Sequence, residues 1–271
     1  MMRAMTLGFA LMDLIYLAGL GGLTLLAVTA GLAAHEAARP AGAALALTAA
    51  VAAAAAAWIA AVAVAGALVP RPRPGRFRLL GHPVFYFWTI AFLLRRYLEI
   101  PPIQTLVFHF NVVRFLVLRL LGARVHFTTS MSSDVLLLDP ALFRAGPGCV
   151  LGAQSIFAGH LVLEGRLLLG PIELGRDVEV GGRSMLGPGV TVGDGARIGI
   201  AVSLAPNVSV GAGARIGPHA LIDTGVRIGK NARVLGNTYV PPGTEIADDE
   251  TWVGEDQSSP ETAAAEQISP R

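Results

Sequence analysis

From Leu174 to Glu245 the chain is one six-residue unit repeated twelve times without a gap. The first position of the unit is always a large aliphatic, running Leu174, Val180, Leu186, Val192, Ile198, Leu204 and on to Val240. The fifth position is small or β-branched, from Val178 and Ser184 to Thr238 and Thr244. A helix repeats its apolar positions every three or four residues, so a strict period of six excludes one. The period predicts short strands joined by turns, with one large and one small side chain per unit directed inward.

The fourth positions explain the turning. Nine of the twelve are Gly, Asn or Asp, the residues that reach positive φ at least cost, and only Arg183, Ala201 and His219 depart. The pattern resembles the hexapeptide repeat of left-handed parallel β-helices, in which three units close one triangular coil. Twelve units then imply four stacked coils. Three more units stand in register upstream, at Ala145, Leu151 and Phe157. From Phe157 to Leu174 is seventeen residues, which is not a multiple of six. An irregular excursion, residues 163–173, therefore interrupts the coil just after His160. Insertions in solenoids gather on one face, frequently the binding face.

The amino-terminal part is of another kind. Residues 7–31 and 41–69 are apolar stretches long enough to cross a bilayer at ~20 residues per span. Both are read as transmembrane helices, with a signal peptide as the alternative for the first. Between residues 70 and 125 stand nine arginines against one acid, Glu99, an asymmetry hidden by the overall balance of +2. The positive-inside rule places that side in the cytoplasm, although Arg39 in the connecting loop points the other way. Segments 83–100 and 103–121 are apolar but interrupted by arginines. They read as interfacial or partly inserted helices, with further full crossings as the competing view. Asp13 in the first span reads as a solvated acid near an interface. Residues 255–271 are polar and poor in bulky side chains, the composition of a disordered tail. Cys149 and Lys230 are the sole cysteine and lysine, so no intramolecular disulfide is available and basic sites are built from arginine.

The segment SIFAGH, a short loop, then GPIELGRDVEVG and LGPGVTVGDGARIG resembles the hexapeptide-repeat acyltransferases, among them sugar acetyltransferases of the galactoside and colanic-acid type. Residues 70–254 are also similar to the membrane-associated terminal region of poly-lysine-type peptide synthetases. The first resemblance implies an acyl-CoA donor, expected to be acetyl-CoA, a homotrimer with sites between subunits, and His160 as general base. It also implies that backbone around Gly182, Ile200 and Ala201 lines the pantetheine groove. Arg183, replacing a turn Gly or Asn in the coil after the loop, is a candidate for the donor's phosphates, with an ordinary surface arginine as the alternative.

Neutral imidazole suits proton abstraction from an attacking hydroxyl or amine near neutral pH. Glu164 is a candidate to orient it, with a solvated loop acid as the alternative, and Arg166 reads as loop decoration, with a phosphate contact as the alternative. Backbone N–H groups at Gly181, Gly182 or Gly187 are candidates for meeting the developing oxyanion. His126 and His219 read as structural. A zinc site of the γ-carbonic anhydrase type needs clustered histidines, which the wide spacing of these three disfavours. The expected organisation is mainly β: 1–69 two transmembrane helices, 70–125 a basic interfacial helical region, 126–254 a left-handed β-helix acyltransferase domain and 255–271 a tail. The expected activity is transfer of an acyl group to a membrane-presented glycan or lipid-linked acceptor at the inner membrane, with no nucleic-acid partner and no metal. The alternative is a non-catalytic trimeric scaffold.

Overall fold

The computed structural model describes residues 22, 25, 27–33, 40–79 and 81–254. Most of the first expected span, with Arg3, Asp13 and Arg39, and the tail from Glu255 lie outside these residues. Those described between 22 and 33 are helical. The backbone divides into two units, one holding the residues up to Arg71 with Tyr86–Gly122, the other Pro72–Phe85 with everything from Ala123.

The larger unit is a parallel β-solenoid preceded by one strand, β1 (Gly75–Arg78). Its first coil is β2 (Arg124–Val125), β3 (Ser130–Met131) and β4 (Leu136–Leu137). The second is β5 (Phe143–Ala145), β6 (Val150–Leu151) and β7 (Ile156–Phe157). The chain then leaves the solenoid as a hairpin, β8 (His160–Leu163) and β9 (Arg166–Leu169), and re-enters through β10 (Ile172–Leu174). Thereafter β11 to β23 are two-residue strands, from Glu179–Val180 to Thr251–Trp252. They stack into parallel sheets of seven, seven and six strands, begun by β2, β3 and β4 respectively, which is six full coils and two sides of a seventh.

The expected repeat is present, and the solenoid extends beyond it. Val125, Met131 and Leu137 keep the spacing of six but lack the turn glycines, so an origin at 126 misses the first coil as a coil. The inward aliphatics are sealed; Val190, Ile222 and Val240 are wholly buried. At the turns, Asp177, Arg183, Ala201, Asn207, His219, Asn231 and Asn237 all have positive φ. Second-position glycines answer a different need. A Cβ on Gly181 would lie 2.5 Å from backbone atoms of Gly199 in the next coil. Fifth-position hydroxyls are satisfied in the core: Ser184 Oγ donates to Gly199 O at 2.9 Å, and Thr238 Oγ1 donates to Leu235 O at 2.7 Å.

The outward positions distinguish the three sheets. On the β3 sheet they read Glu179, Arg197, Arg215 and Arg233 through successive coils. On the β2 sheet, Arg144 pairs with Glu173 and Arg227 with Glu245. The β4 sheet instead presents Leu136, Ile156, Met185, Ser203, Leu221 and Tyr239.

The smaller unit is helical: α1 (Pro40–Leu68), α2 (Pro83–Arg96, begun in the other unit), α3 (Pro101–His109) and α4 (Asn111–Leu120). Ala55, Val62, Leu98, Ile103, Val107 and Val117 form its buried cluster. Within α1, Thr48–Leu68 is long and apolar enough to cross a membrane; α3 and α4 pass the same test only together, bent by 100°. Pro101 and Pro102 open α3, consistent with the expected break there.

Candidate active site

His160 is the first residue of the hairpin, at the corner where the β4 sheet turns toward the β2 sheet. One coil earlier the same corner carries Asp139, two residues past β4, just as Gly159 stands two residues past β7. The ladder bond from Leu138 N–H to Phe157 O, 3.0 Å, holds these two turns in register. His160 Nδ1 lies 2.6 Å from Asp139 Oδ2, with the two side chains 17% and 4% exposed. A short 3₁₀ turn, Pro140–Leu142, follows the aspartate, and Leu142 N–H donates to Asp139 O at 2.9 Å. Gly159 makes the approach possible, because a Cβ there would fall 3.0 Å from Leu142 Cβ and 3.1 Å from Asp139 Cβ.

A carboxylate only accepts, so Nδ1 carries the hydrogen it donates to Asp139 and Nε2 keeps the lone pair in the neutral ring. That is the tautomer a general base needs, held by a buried acceptor that also stabilises the imidazolium formed on proton transfer. The part assigned to Glu164 is therefore taken by Asp139. Glu164 sits with positive φ at the hairpin tip, exposed, while His160 pairs across the hairpin with Leu169 at the opposite end. Strands rise ~3.4 Å per residue, which puts their backbones roughly 13 Å apart. The aspartate was legible only through the stacking of LLLDP beneath IFAGH, and that stacking is visible once Val125–Leu137 is recognised as a coil.

The expected donor residues fall on a different corner, where the β3 sheet turns into the β4 sheet. Ala201 N–H donates to Gly182 O at 2.9 Å, and His219 N–H to Ile200 O at 2.9 Å, so Gly182, Ile200 and Ala201 are close neighbours on stacked coils. Arg183 is exposed on the same corner and Ile200 is 50% exposed. The three departures from the Gly, Asn or Asp rule, Arg183, Ala201 and His219, thus line one edge, continued by Gln154 and Asn237, all with positive φ. Within one chain the outer face of the β4 sheet separates this edge from His160. Of the three candidate oxyanion donors, Gly181 and Gly187 give their N–H groups to Ile198 O and Leu204 O at 2.8 and 2.9 Å, which removes both from that role. Among the described residues Gly182 N–H has no such ladder bond.

His126 Nδ1 lies 2.8 Å from Thr128 Oγ1, and with His160 and His219 it is spread over separate turns. Cys149 is buried, and desolvation holds its thiol above the ordinary value of 9.0.

A family model for the hexapeptide repeat of succinyl-transferase matches residues 171–204 and 207–242, within the regular coils. No curated protein matches the chain. Among solved structures, similar ones include a variant of AntD, an N-acyltransferase from Bacillus cereus, in complex with dTDP and coenzyme A. It is 16% identical over 55% of this chain and 91% of that chain, with a TM-score of 0.41. A variant of GDP-perosamine N-acetyl transferase from Caulobacter crescentus, in complex with CoA and GDP-perosamine, is 20% identical over 53% of this chain and 59% of that one, with a TM-score of 0.35. The acetyltransferase domain of PglB from Neisseria gonorrhoeae is 18% identical over 54% and 60%, with a TM-score of 0.30. The likeness to poly-lysine-type peptide synthetases gains no support from these comparisons.

Proposed function

We propose that this chain is a membrane-anchored acyltransferase that moves an acyl group, acetyl in the first instance, from acyl-CoA to a hydroxyl or amine of a glycan or lipid-linked acceptor presented at the bilayer. The observation that carries the reading is the Asp139–His160 pair, placed where the solenoid is interrupted, with the carboxylate buried and the imidazole edge reaching solvent. His160 Nε2 removes the acceptor's proton as its oxygen or nitrogen bonds to the thioester carbonyl carbon. The tetrahedral intermediate then expels the CoA thiolate, which takes the proton from the imidazolium. Asp139 is a positioning residue throughout. Backbone at Gly182, Ile200 and Ala201, with Arg183, is the proposed donor groove, and Gly182 N–H the candidate oxyanion donor.

Two further features support the reading. The apolar outer face of the β4 sheet lies between the histidine edge and the proposed donor edge. Packing of this face in a homotrimer would set the histidine edge of one subunit against the donor edge of its neighbour, while the charged β2 and β3 sheets stay in water. The apolar helix Thr48–Leu68 and the arginines that follow favour anchoring with the solenoid on the cytoplasmic side, wound left-handed as the repeat implies.

The test is membranes carrying the full chain, given acetyl-CoA and a lipid and glycan extract, with free CoA and acceptor mass as readouts. His160→Ala is expected to lower CoA release by about 10²–10⁴-fold while the trimer persists in detergent. Undiminished turnover in that variant excludes the base, and a monomer by mass excludes a site shared between subunits.

A further inference from the structure

The three-stranded sheet formed by β1, β9 and β8 has two unlike faces. Its register pairs Arg76 with Leu168 and Leu168 with Leu161, and two residues along pairs Arg78 with Arg166 and Arg166 with Leu163. Side chains alternate along a strand, so these six residues share one face. Leu167 and Leu169, 0% and 1% exposed, share the other with His160. On the first face all three arginines are exposed, and Leu161 and Leu163 are 37% and 62% exposed. None of these arginines is in an ion pair among the described residues. Arg78 and Arg166 stand directly opposite each other, which like charges disfavour unless an anion lies between them.

Leucines interleaved with guanidinium groups fit a bilayer surface. The leucines enter the boundary of the acyl chains, and the arginines bind headgroup phosphates bidentately. The order of the chain favours lipid over an acidic protein partner. Along the chain only residues 69–74 separate the apolar helix ending at Leu68 from Gly75, so a chain anchored by that helix enters β1 directly after it. On the other side of β1, the apolar helix α2 opens at Pro83. We infer that this face docks on an anionic bilayer, with headgroup phosphates bridging Arg78 and Arg166, and so holds the His160 edge at the membrane surface. The inference rests on the membrane-anchored reading above and adds which surface meets the lipid.

The experiment uses the full chain with Cys149→Ala and Glu164→Cys, labelled at the hairpin tip with an environment-sensitive dye. It is reconstituted into vesicles of phosphatidylcholine alone or with phosphatidylglycerol. Blue-shifted emission quenched by spin-labelled lipid is expected only with phosphatidylglycerol, and is expected to fade as salt is raised. At about fivefold per arginine, Arg76→Gln, Arg78→Gln and Arg166→Gln together should weaken docking by about 100-fold. A dye that stays in water on vesicles holding the chain, or docking unchanged in the triple variant, overturns the inference. Flotation of the unlabelled chain tests anchoring separately, since a chain that does not float with vesicles removes the membrane reading itself. His160→Ala should dock as the parent does, which separates docking from turnover.

Discussion

The coils after Leu174 and the coils on either side of His160 use the same strands in opposite ways. In the regular stretch each residue stands beside the one eighteen positions on, as Val180 stands beside Ile198 and Ile198 beside Ile216. Around the hairpin the offset becomes twenty-nine, with Leu151 beside Val180 and Phe157 beside Leu186. Regular stacking fills the interior with aliphatics and ties up the second- and fourth-position amides of the corners, leaving little room for a polar pair. Breaking the period displaces the chain outward at one corner and lets a buried carboxylate and a half-buried imidazole meet there. A repeat is thus a scaffold by default, and on the proposed function its base stands where the repeat fails.

The comparison breaks most readily in the regular coils. Ile222 is fully buried, and Ile222→Ala should cost about 2–5 kcal/mol of stability, read by thermal or denaturant unfolding, with little change in turnover by the surviving folded fraction. At the interruption the pattern reverses. Asp139→Asn should preserve the melting temperature closely but reduce kcat about 100-fold, a loss at the lower end of what a positioned base contributes, because the amide can hold the wrong tautomer. A kcat as high as the parent's would show that the aspartate only packs. Gly181→Ala should destabilise by about 1–3 kcal/mol, since its Cβ would meet backbone that cannot move without separating two coils.

Smaller effects sharpen the contrast. Burial raises the Cys149 pKa, so the folded state holds its proton where the unfolded chain releases it. Stability from this group is complete below the unfolded thiol's pKa and is lost as pH climbs through the raised folded value. Pairwise melts of parent and Cys149→Ala should diverge only on the alkaline side, with the parent falling faster. Glu164→Gln, at the hairpin tip, should leave turnover within about twofold, as for an exposed side chain remote from the chemistry.

Some of the candidate site was legible in the sequence and some was not, for identifiable reasons. His160 stood out because seventeen residues between Phe157 and Leu174 cannot be divided by six. Glu164 was drawn in by nearness along the chain, whereas a hairpin carries residues four apart to opposite ends of a strand. Asp139 escaped because its coil, Val125 to Leu137, carries Ser132 and Leu138 where later units have glycine. Gly181 and Gly187 looked like available amide donors because their lack of side chains was visible in sequence while their ladder bonds were not.

The one-dimensional pattern determined the period, the inward aliphatics, the turning residues and the place of interruption, since all of these are local or repeat at a constant spacing. Tertiary structure alone decided which turns stack on which. That stacking puts Asp139 against His160 across twenty-one residues, gathers Arg183, Ala201 and His219 on one edge, and lays β1 beside β9 from ninety residues away. Such contacts depend on the accumulated offset between coils, and one irregular loop changes that offset for every residue that follows.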